Sequence, residues 1–172
     1  MNKTASVNRV ARIHTARIQK KVKFVHHYEY GDVHFVEVRN EENKVVGTIK
    51  GQLQFVYSRK ELGLYKCGRD LKALYDLWVR DVPSWEEDGV PILEITNTFL
   101  DEDYRSQGIG LQMYKEISSH GRDEAEMPMF FIPDYCVEGE TSEMARRVWK
   151  SLTISNPVSS GDVILMIDRK LR

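Results

Sequence analysis

The chain has 172 residues, 41% of them hydrophobic and 30% charged, and a formal net charge of −1. That length suits one domain with a sizeable core, and no apolar run approaches the roughly 18–20 residues that span a bilayer. So small a charge gives no global pull toward nucleic acid or membrane. Cys67 and Cys136 lack metal-ligand spacing, and Met1-Asn2-Lys3-Thr4 opens without an apolar core or cleavage signature. Both facts fit a reducing, cytoplasmic setting.

The charge is unevenly placed. Lys3, Arg9, Arg12, Arg17, Lys20, Lys21 and Lys23 all precede the first carboxylate, Glu29. Such an arm attracts a polyanion, nucleic acid included, or else is solvated or paired with acids elsewhere. Val7, Val10, Ala11, His14 and Ile18 give residues 5–20 a helical spacing. Val22 to Tyr30 reads as a strand, Gly31-Asp32 as a turn, and Val33, Phe35, Glu37 and Arg39 as the start of a second strand. After the polar turn Asn40–Asn43, Val45 to Tyr57 reads as a third. Leu71, Leu74, Tyr75 and Trp78 recur at i, i+3, i+4 and i+7, which predicts an amphipathic helix over 69–80 whose aromatic stripe is core. Ser84 to Gly89 reads as a polar loop with an exposed tryptophan, Trp85. Pro91 to Leu100 is a fourth strand and Met127 to Ile132 a fifth. Thr141 caps a helix running to Ser151 or Leu152, Ser159 to Asp162 turn, and Val163 to Ile167 close the chain as a strand.

Arg105-Ser106-Gln107-Gly108-Ile109-Gly110 joins the fourth strand to a helix beginning near Leu111. Helix N-termini carry unpaired N–H groups and the positive dipole end, so such a junction holds phosphate. Glycine lets the backbone approach the ligand closely. The spacing is neither a Walker loop nor the three-glycine Rossmann pattern.

Asp103-Tyr104-Arg105-Ser106-Gln107-Gly108-Ile109-Gly110 resembles the Glu-Tyr-Arg-Gly-x-Gly-Ile-Gly string of the GNAT superfamily, acyl-CoA-dependent N-acyltransferases. Ser106 stands where glycine is frequent. The resemblance implies a single α/β domain over 1–172, with a central mixed, mostly antiparallel sheet flanked by helices. It implies an acyl-CoA gap between the fourth and fifth strands. In that plan Arg105, Ser106, Gln107, Gly108, Ile109 and Gly110 meet the pyrophosphate, and main-chain groups near Phe99, Leu100 and Asp101 meet the pantetheine arm. One departure stands out: the family's helical pair lies between its first two strands, whereas here a helix at 69–80 interrupts strands three and four.

The implied activity is transfer of an acetyl group from acetyl-CoA to a primary amine by direct attack in a ternary complex. The attacking amine must be neutral, so a base is needed. Glu94 fits: it lies on the fourth strand where several GNAT subfamilies carry a glutamate base, and a carboxylate in an apolar strand has a raised pKa unless paired. Alternation places Glu94, Thr96 and Thr98 on one strand face. The family's later helix carries Asn-x-x-Ala-x-x-x-Tyr, whose tyrosine protonates the leaving thiolate. Ala145 matches the alanine, Ser142 stands at the asparagine and Trp149 at the tyrosine. Indole is no useful acid, which leaves Trp149 to pack against pantetheine or in the core, and Tyr135, beside Cys136, as a substitute acid. The acids Glu86, Glu87, Asp88, Asp101, Glu102 and Asp103 suit a cationic acceptor if they line the cleft. The acceptor, small molecule or protein, is not named by the sequence, and a homodimer is left open. His26-His27 alternates sides and lacks further ligands, so no metal is expected. The alternative is a non-catalytic GNAT-like protein that binds CoA or a macromolecule.

Overall fold

The computed structural model describes residues 20–29, 32–65, 68–133, 143–155, 159–160, 163–164 and 166–168. The expected helix at 5–20, the cap at Thr141, and Tyr135, Cys136 and Ser142 lie outside them.

Six strands form one sheet in the order β1 (Val22–Glu29), β2 (Val33–Asn40), β3 (Val45–Val56), β4 (Val90–Leu100), β5 (Met129–Pro133) and β8 (Met166–Asp168). Every neighbouring pair is antiparallel except β4 and β5. Two parallel strands need a long crossover, and helix α4 (Ile109–Ala125) supplies it. Short strands β6 (Ser159–Ser160) and β7 (Val163–Ile164) pair with each other, so of the expected closing strand Val163–Ile164 pair outside the main sheet while Met166–Asp168 pair with β5.

Period-two burial orients the sheet. Val36 and Val38 of β2, Ile49 and Leu53 of β3, and Leu93 and Ile95 of β4 share a core with Ile109, Met113, Tyr114 and Ile117 of α4. Gly121 lets α4 lie close to the sheet, since a Cβ there would sit 2.7 Å from Leu93 Cδ2. Helix α5 (Glu143–Ser155) adds Trp149 and Leu152 to the same core.

The opposite sheet face is covered by three helices between β3 and β4: α1 (Arg59–Leu62), α2 (Gly68–Trp78) and α3 (Ser84–Glu87). Leu62, Leu71, Leu74 and Trp85 pack there on Val56, Val90, Ile92, Phe130 and Ile132. The amphipathic helix is thus where its periodicity puts it, and β3 and β4 still pair from Gly47↔Leu100 to Val56↔Val90 around the excursion. Trp85 is not exposed. It retains 1% accessibility, its indole N–H donates to Pro128 O at 2.8 Å, and its ring stacks on Tyr75 and tilts onto Phe130. The short helix α3 replaces the polar loop expected at Ser84 to Gly89.

Pairing shifts between Lys50↔Asn97 and Gly51↔Ile95, leaving Thr96 as an extra residue on β4. A bulge of this kind breaks the two-residue alternation. Before it, Ile92 faces the α2–α3 core and Leu93 and Ile95 face α4. After it, Thr98 meets Tyr114 of α4 and Leu100 packs on the α4 core. Glu94 and Thr98 therefore occupy opposite faces, not one.

Candidate functional site

β4 and β5 pair only from Ile92↔Phe130 to Ile95↔Pro133. β4 then continues to Leu100 against β3 alone, and the two parallel strands part. A cavity of about 920 Å³ opens there. Thr96, Asn97, Thr98 and Leu100 of β4, Pro133 of β5, Ser106, Gly108 and Gly110 of the loop, Tyr114 of α4, and Ala145, Val148 and Trp149 of α5 all line it.

The loop between β4 and α4 turns into the helix through two left-handed residues. Its first part is the one-turn helix η1 (Glu102–Tyr104). Ser106 has φ +58° and Gly108 φ +81°. Successive residues in such conformations gather N–H groups into an anion-binding concavity. Gly108 caps α4 without a side-chain hydrogen bond, and the first turn of α4 carries no acid. A Cβ on Gly108 would meet nothing within 4 Å, so the space beside it is open. Gly110 faces Val148 Cγ2, which a Cβ would meet at 3.8 Å. Ile109 is the loop's anchor, buried in the α4 core.

Arg105 lines the cavity and also braces the loop. Its Nε–H donates to Leu100 O at 2.8 Å, and Nη1 lies 3.6 Å from Glu102. It ties the loop back to the end of β4, which is why an arginine stands there. Gln107 is likewise engaged: its Nε2–H donates to Asp103 O at 2.7 Å and its Oε1 accepts from Lys20 N–H at 2.9 Å. The main-chain N–H of Asp101 donates to Val46 O at 2.8 Å and belongs to the sheet. Phe99 is 49% exposed and lies off the cavity wall, unlike Leu100. None of the six acids in 86–88 and 101–103 lines the cavity.

Glu94 is buried at 8% accessibility. It pairs across the sheet with Gln52 and Ile132, one position before the last β4–β5 pair. It sits at the apex of the divergence, on the sheet face turned away from α4. Trp149 is 1% exposed, its ring 4.8 Å from Phe131 and 5.3 Å from Tyr114.

Three residues escaped the sequence reading. The Tyr114 hydroxyl lies 3.2 Å from Thr98 Oγ1 at the cavity wall, and burial pushes its pKa up. Its i, i+4 phase with Gly110 in the first turns was the available signal. Arg147 lines the cavity from α5. Lys20 reaches the loop from the start of β1, a long-range contact with no local signature. Outside the cavity, His26, His120 and His34 form a chain of rings with centroids 5.0 Å apart at each step. Among the described residues, no group of three or more His, Cys, Asp or Glu is placed to hold a metal, and no helix is long and apolar enough to cross a membrane.

No family model and no curated protein matches the chain. Solved structures do. A Trypanosoma brucei acetyltransferase is similar at 13% identity and TM-score 0.46, over 83% of this chain and 68% of that one. Arabidopsis thaliana NAA60, solved with a bisubstrate analogue, is similar at 12% identity and TM-score 0.45, over 72% and 62%. Arylalkylamine N-acetyltransferase 2 from Aedes aegypti is similar at 14% identity and TM-score 0.43, over 79% and 68%. The chain thus spans between about three fifths and two thirds of the length of these neighbours. The overlaps are loose; the chain's own meander β1–β4, its parallel β4–β5 pair that parts beyond Ile95, and the α4 crossover with the Arg105-x-x-Gly108-x-Gly110 loop at its N-terminus give the mixed α/β architecture that the GNAT resemblance implies.

Proposed function

We propose that the chain transfers an acetyl group from acetyl-CoA to a primary amine, without a covalent enzyme intermediate. The observation that carries this reading is the cavity between the parted ends of β4 and β5, which runs to the uncapped N-terminus of α4. Pyrophosphate suits the N–H concavity around Gly108. The pantetheine arm suits the unpaired edge of β4 from Thr96 onward, where main-chain groups turn away from β5.

Glu94 serves as base in this reading. This role requires an opening for the amine at the apex of the divergence, because Glu94 is 8% accessible on the sheet face that α1–α3 cover, opposite the cavity that takes the thioester. The amine loses a proton toward Glu94, directly or through water, and attacks the thioester carbon. The C–S bond breaks and the thiolate takes a proton. Tyr114 is the donor we assign, because its hydroxyl lines the cavity while Trp149, at the family's tyrosine position, cannot donate usefully. Arg105 and Gln107 act by holding the loop in shape. The acceptor is a primary amine, and the acids of 86–88 and 101–103 give no argument that it is a polycation.

Trp149 favours a second reading, a CoA-binding protein without turnover. One experiment separates the two. Calorimetry with acetyl-CoA is followed by a screen of primary amines and amino-terminal peptides for release of free CoA thiol. Acetyl-CoA binding with amine-dependent thiol release supports the transferase, and binding without release by any acceptor supports the second reading. No heat with acetyl-CoA at millimolar concentration sinks both.

A further inference from the structure

We propose that Lys20 is a phosphate-binding residue of the acyl-CoA site, so that the start of β1 forms part of the cofactor cradle. This rests on the acyl-CoA reading above and adds a cation from outside the loop motif.

Lys20 stands two residues before β1, whose Val22 and Phe24 pack on the α4 core, and its own contacts are with Gln107, Asp103 and Tyr104 of the loop before α4. Lys20 therefore projects toward α4 and its loop. Its main-chain N–H is fixed by Gln107 Oε1 at 2.9 Å, and Gln107 is itself fixed to Asp103 O. The lysine is thus held by its backbone, with its ammonium left to move. Nζ stands 4.4 Å from the centroid of the Tyr104 ring and 4.0 Å from Asp103 Oδ2, a carboxylate whose side chain is 86% exposed. An ion pair that long and that exposed is worth little, so it yields readily to a better anion.

The charge around the loop calls for such a cation. Asp101, Glu102 and Asp103 precede the concavity, and against these three acids the loop's one arginine, which lines the cavity with its Nε–H on Leu100 O, is a single cation. The diphosphate and 3′-phosphate of CoA bring several negative charges to this place. N–H groups and a helix dipole offer only partial positive charge. Lys20 supplies a full one, on a flexible stem suited to a phosphate oxygen. The aromatic face of Tyr104 holds the ammonium near the loop before the ligand arrives.

The test is calorimetric titration of wild type, Lys20→Ala and Lys20→Glu with CoA and with 3′-dephospho-CoA, the melting temperature of each variant being checked first. Lys20 is exposed and its anchoring contact is main-chain, so both variants are expected to melt with wild type. Lys20→Ala is expected to weaken CoA binding about tenfold and Lys20→Glu further, as befits loss of one charge-assisted contact, with the difference shrinking at high salt. A loss confined to CoA assigns the 3′-phosphate, and an equal loss with both ligands assigns the diphosphate. Lys20→Ala and Lys20→Glu both binding CoA within twofold of wild type overturns the proposal while leaving the acyl-CoA reading in place. Wild type that binds neither ligand overturns both.

Discussion

The hydroxyl of Tyr114 lies 3.2 Å from Thr98 Oγ1, joining α4 to the bulged end of β4 at the cavity wall. The same ring packs edge-on against Phe131 and Trp149, so one side chain couples the core to the site. Burial holds its pKa above the usual phenol value. The phenol is neutral at every pH below 10, and the stability it lends is lost as pH rises above that.

With an amine acceptor in hand, Tyr114→Phe should lower turnover with acetyl-CoA by about 10², the lower end of the range for a lost proton donor. The defect should shrink with an aromatic thioester donor, whose thiolate leaves without help. Trp149→Phe should keep most activity, and Trp149→Tyr should recover part of what Tyr114→Phe loses. Trp149→Ala should cost about 3–5 kcal/mol on unfolding, as for other buried aromatics. Equal defects with both donors would remove Tyr114 from the proton path.

Glu94→Gln is expected to lower the turnover number by about 10²–10⁴ and to abolish the acidic limb of the pH–rate profile. Calorimetry should give acetyl-CoA affinity near wild type, because Glu94 lies on the far face from the cavity. An unchanged rate would move the base to another group or to water.

Ser106 adopts φ +58°, a left-handed conformation that costs a side-chain-bearing residue roughly 1 kcal/mol or more. That is the physical reason the GNAT string favours glycine here. Ser106→Gly should raise the unfolding free energy by up to ~1 kcal/mol, less the entropy glycine loses on folding, and Ser106→Val should lower it. Chemical denaturation of the two variants decides the sign, and destabilisation by Ser106→Gly would contradict the strain argument.

The elements with clean periodicity were legible in the sequence, and so was the strand–loop–helix junction at 105–110. The stripe Leu71, Leu74, Tyr75, Trp78 named a helix, and arginine with two glycines after a β-branched run named the junction. Thr96 was not legible: a bulge leaves hydrophobic spacing intact on either side while reversing the phase between them, so Thr98 was put on the face of Glu94. Trp85 misled because α3 spans only Ser84–Glu87, too short to display a period, and its neighbours are acids. The roles of Arg105 and Gln107 depend on Leu100 O and Lys20 N–H, partners that only the fold brings together.

Gly121 sits where a Cβ would come within 2.7 Å of Leu93 Cδ2. Gly121→Ala should therefore destabilise by about 1–3 kcal/mol, as overpacking does, despite alanine's better helix propensity. In a Leu93→Ala background the same change should cost far less, a coupling measurable by a double-mutant cycle. Additive effects would mean that α4 shifts freely.

His34 is fully buried, and neither ring nitrogen has a hydrogen-bond partner among the described residues. Burial and then His120 push its pKa below 6.5, while Glu124 and Asp32 pull it back weakly. Tyr28 and His120 abut its ring, and burial and His26 lower His120 in turn. A base with a depressed folded-state pKa binds fewer protons folded than unfolded, so stability falls as pH drops below 6.5. Denaturant midpoints at pH 7.5 and 5.5 should show this fall, and His34→Phe should flatten it. An unchanged slope in His34→Phe would assign the acid sensitivity elsewhere.

The extra residue at Thr96 has a further consequence for how two reactants meet. Because the phase of β4 reverses there, one strand turns Glu94 to the face covered by α1–α3 and Thr98 to the cavity on the α4 face. In the proposed reaction, donor and acceptor approach from opposite faces of the sheet. Under the proposed chemistry, product-inhibition patterns should accordingly lack the mutual blocking expected of a common doorway. Deleting Thr96 would remove the bulge yet leave Asn97 opposite Lys50 and Thr98 opposite Ile49, so Thr98 would keep the α4 face.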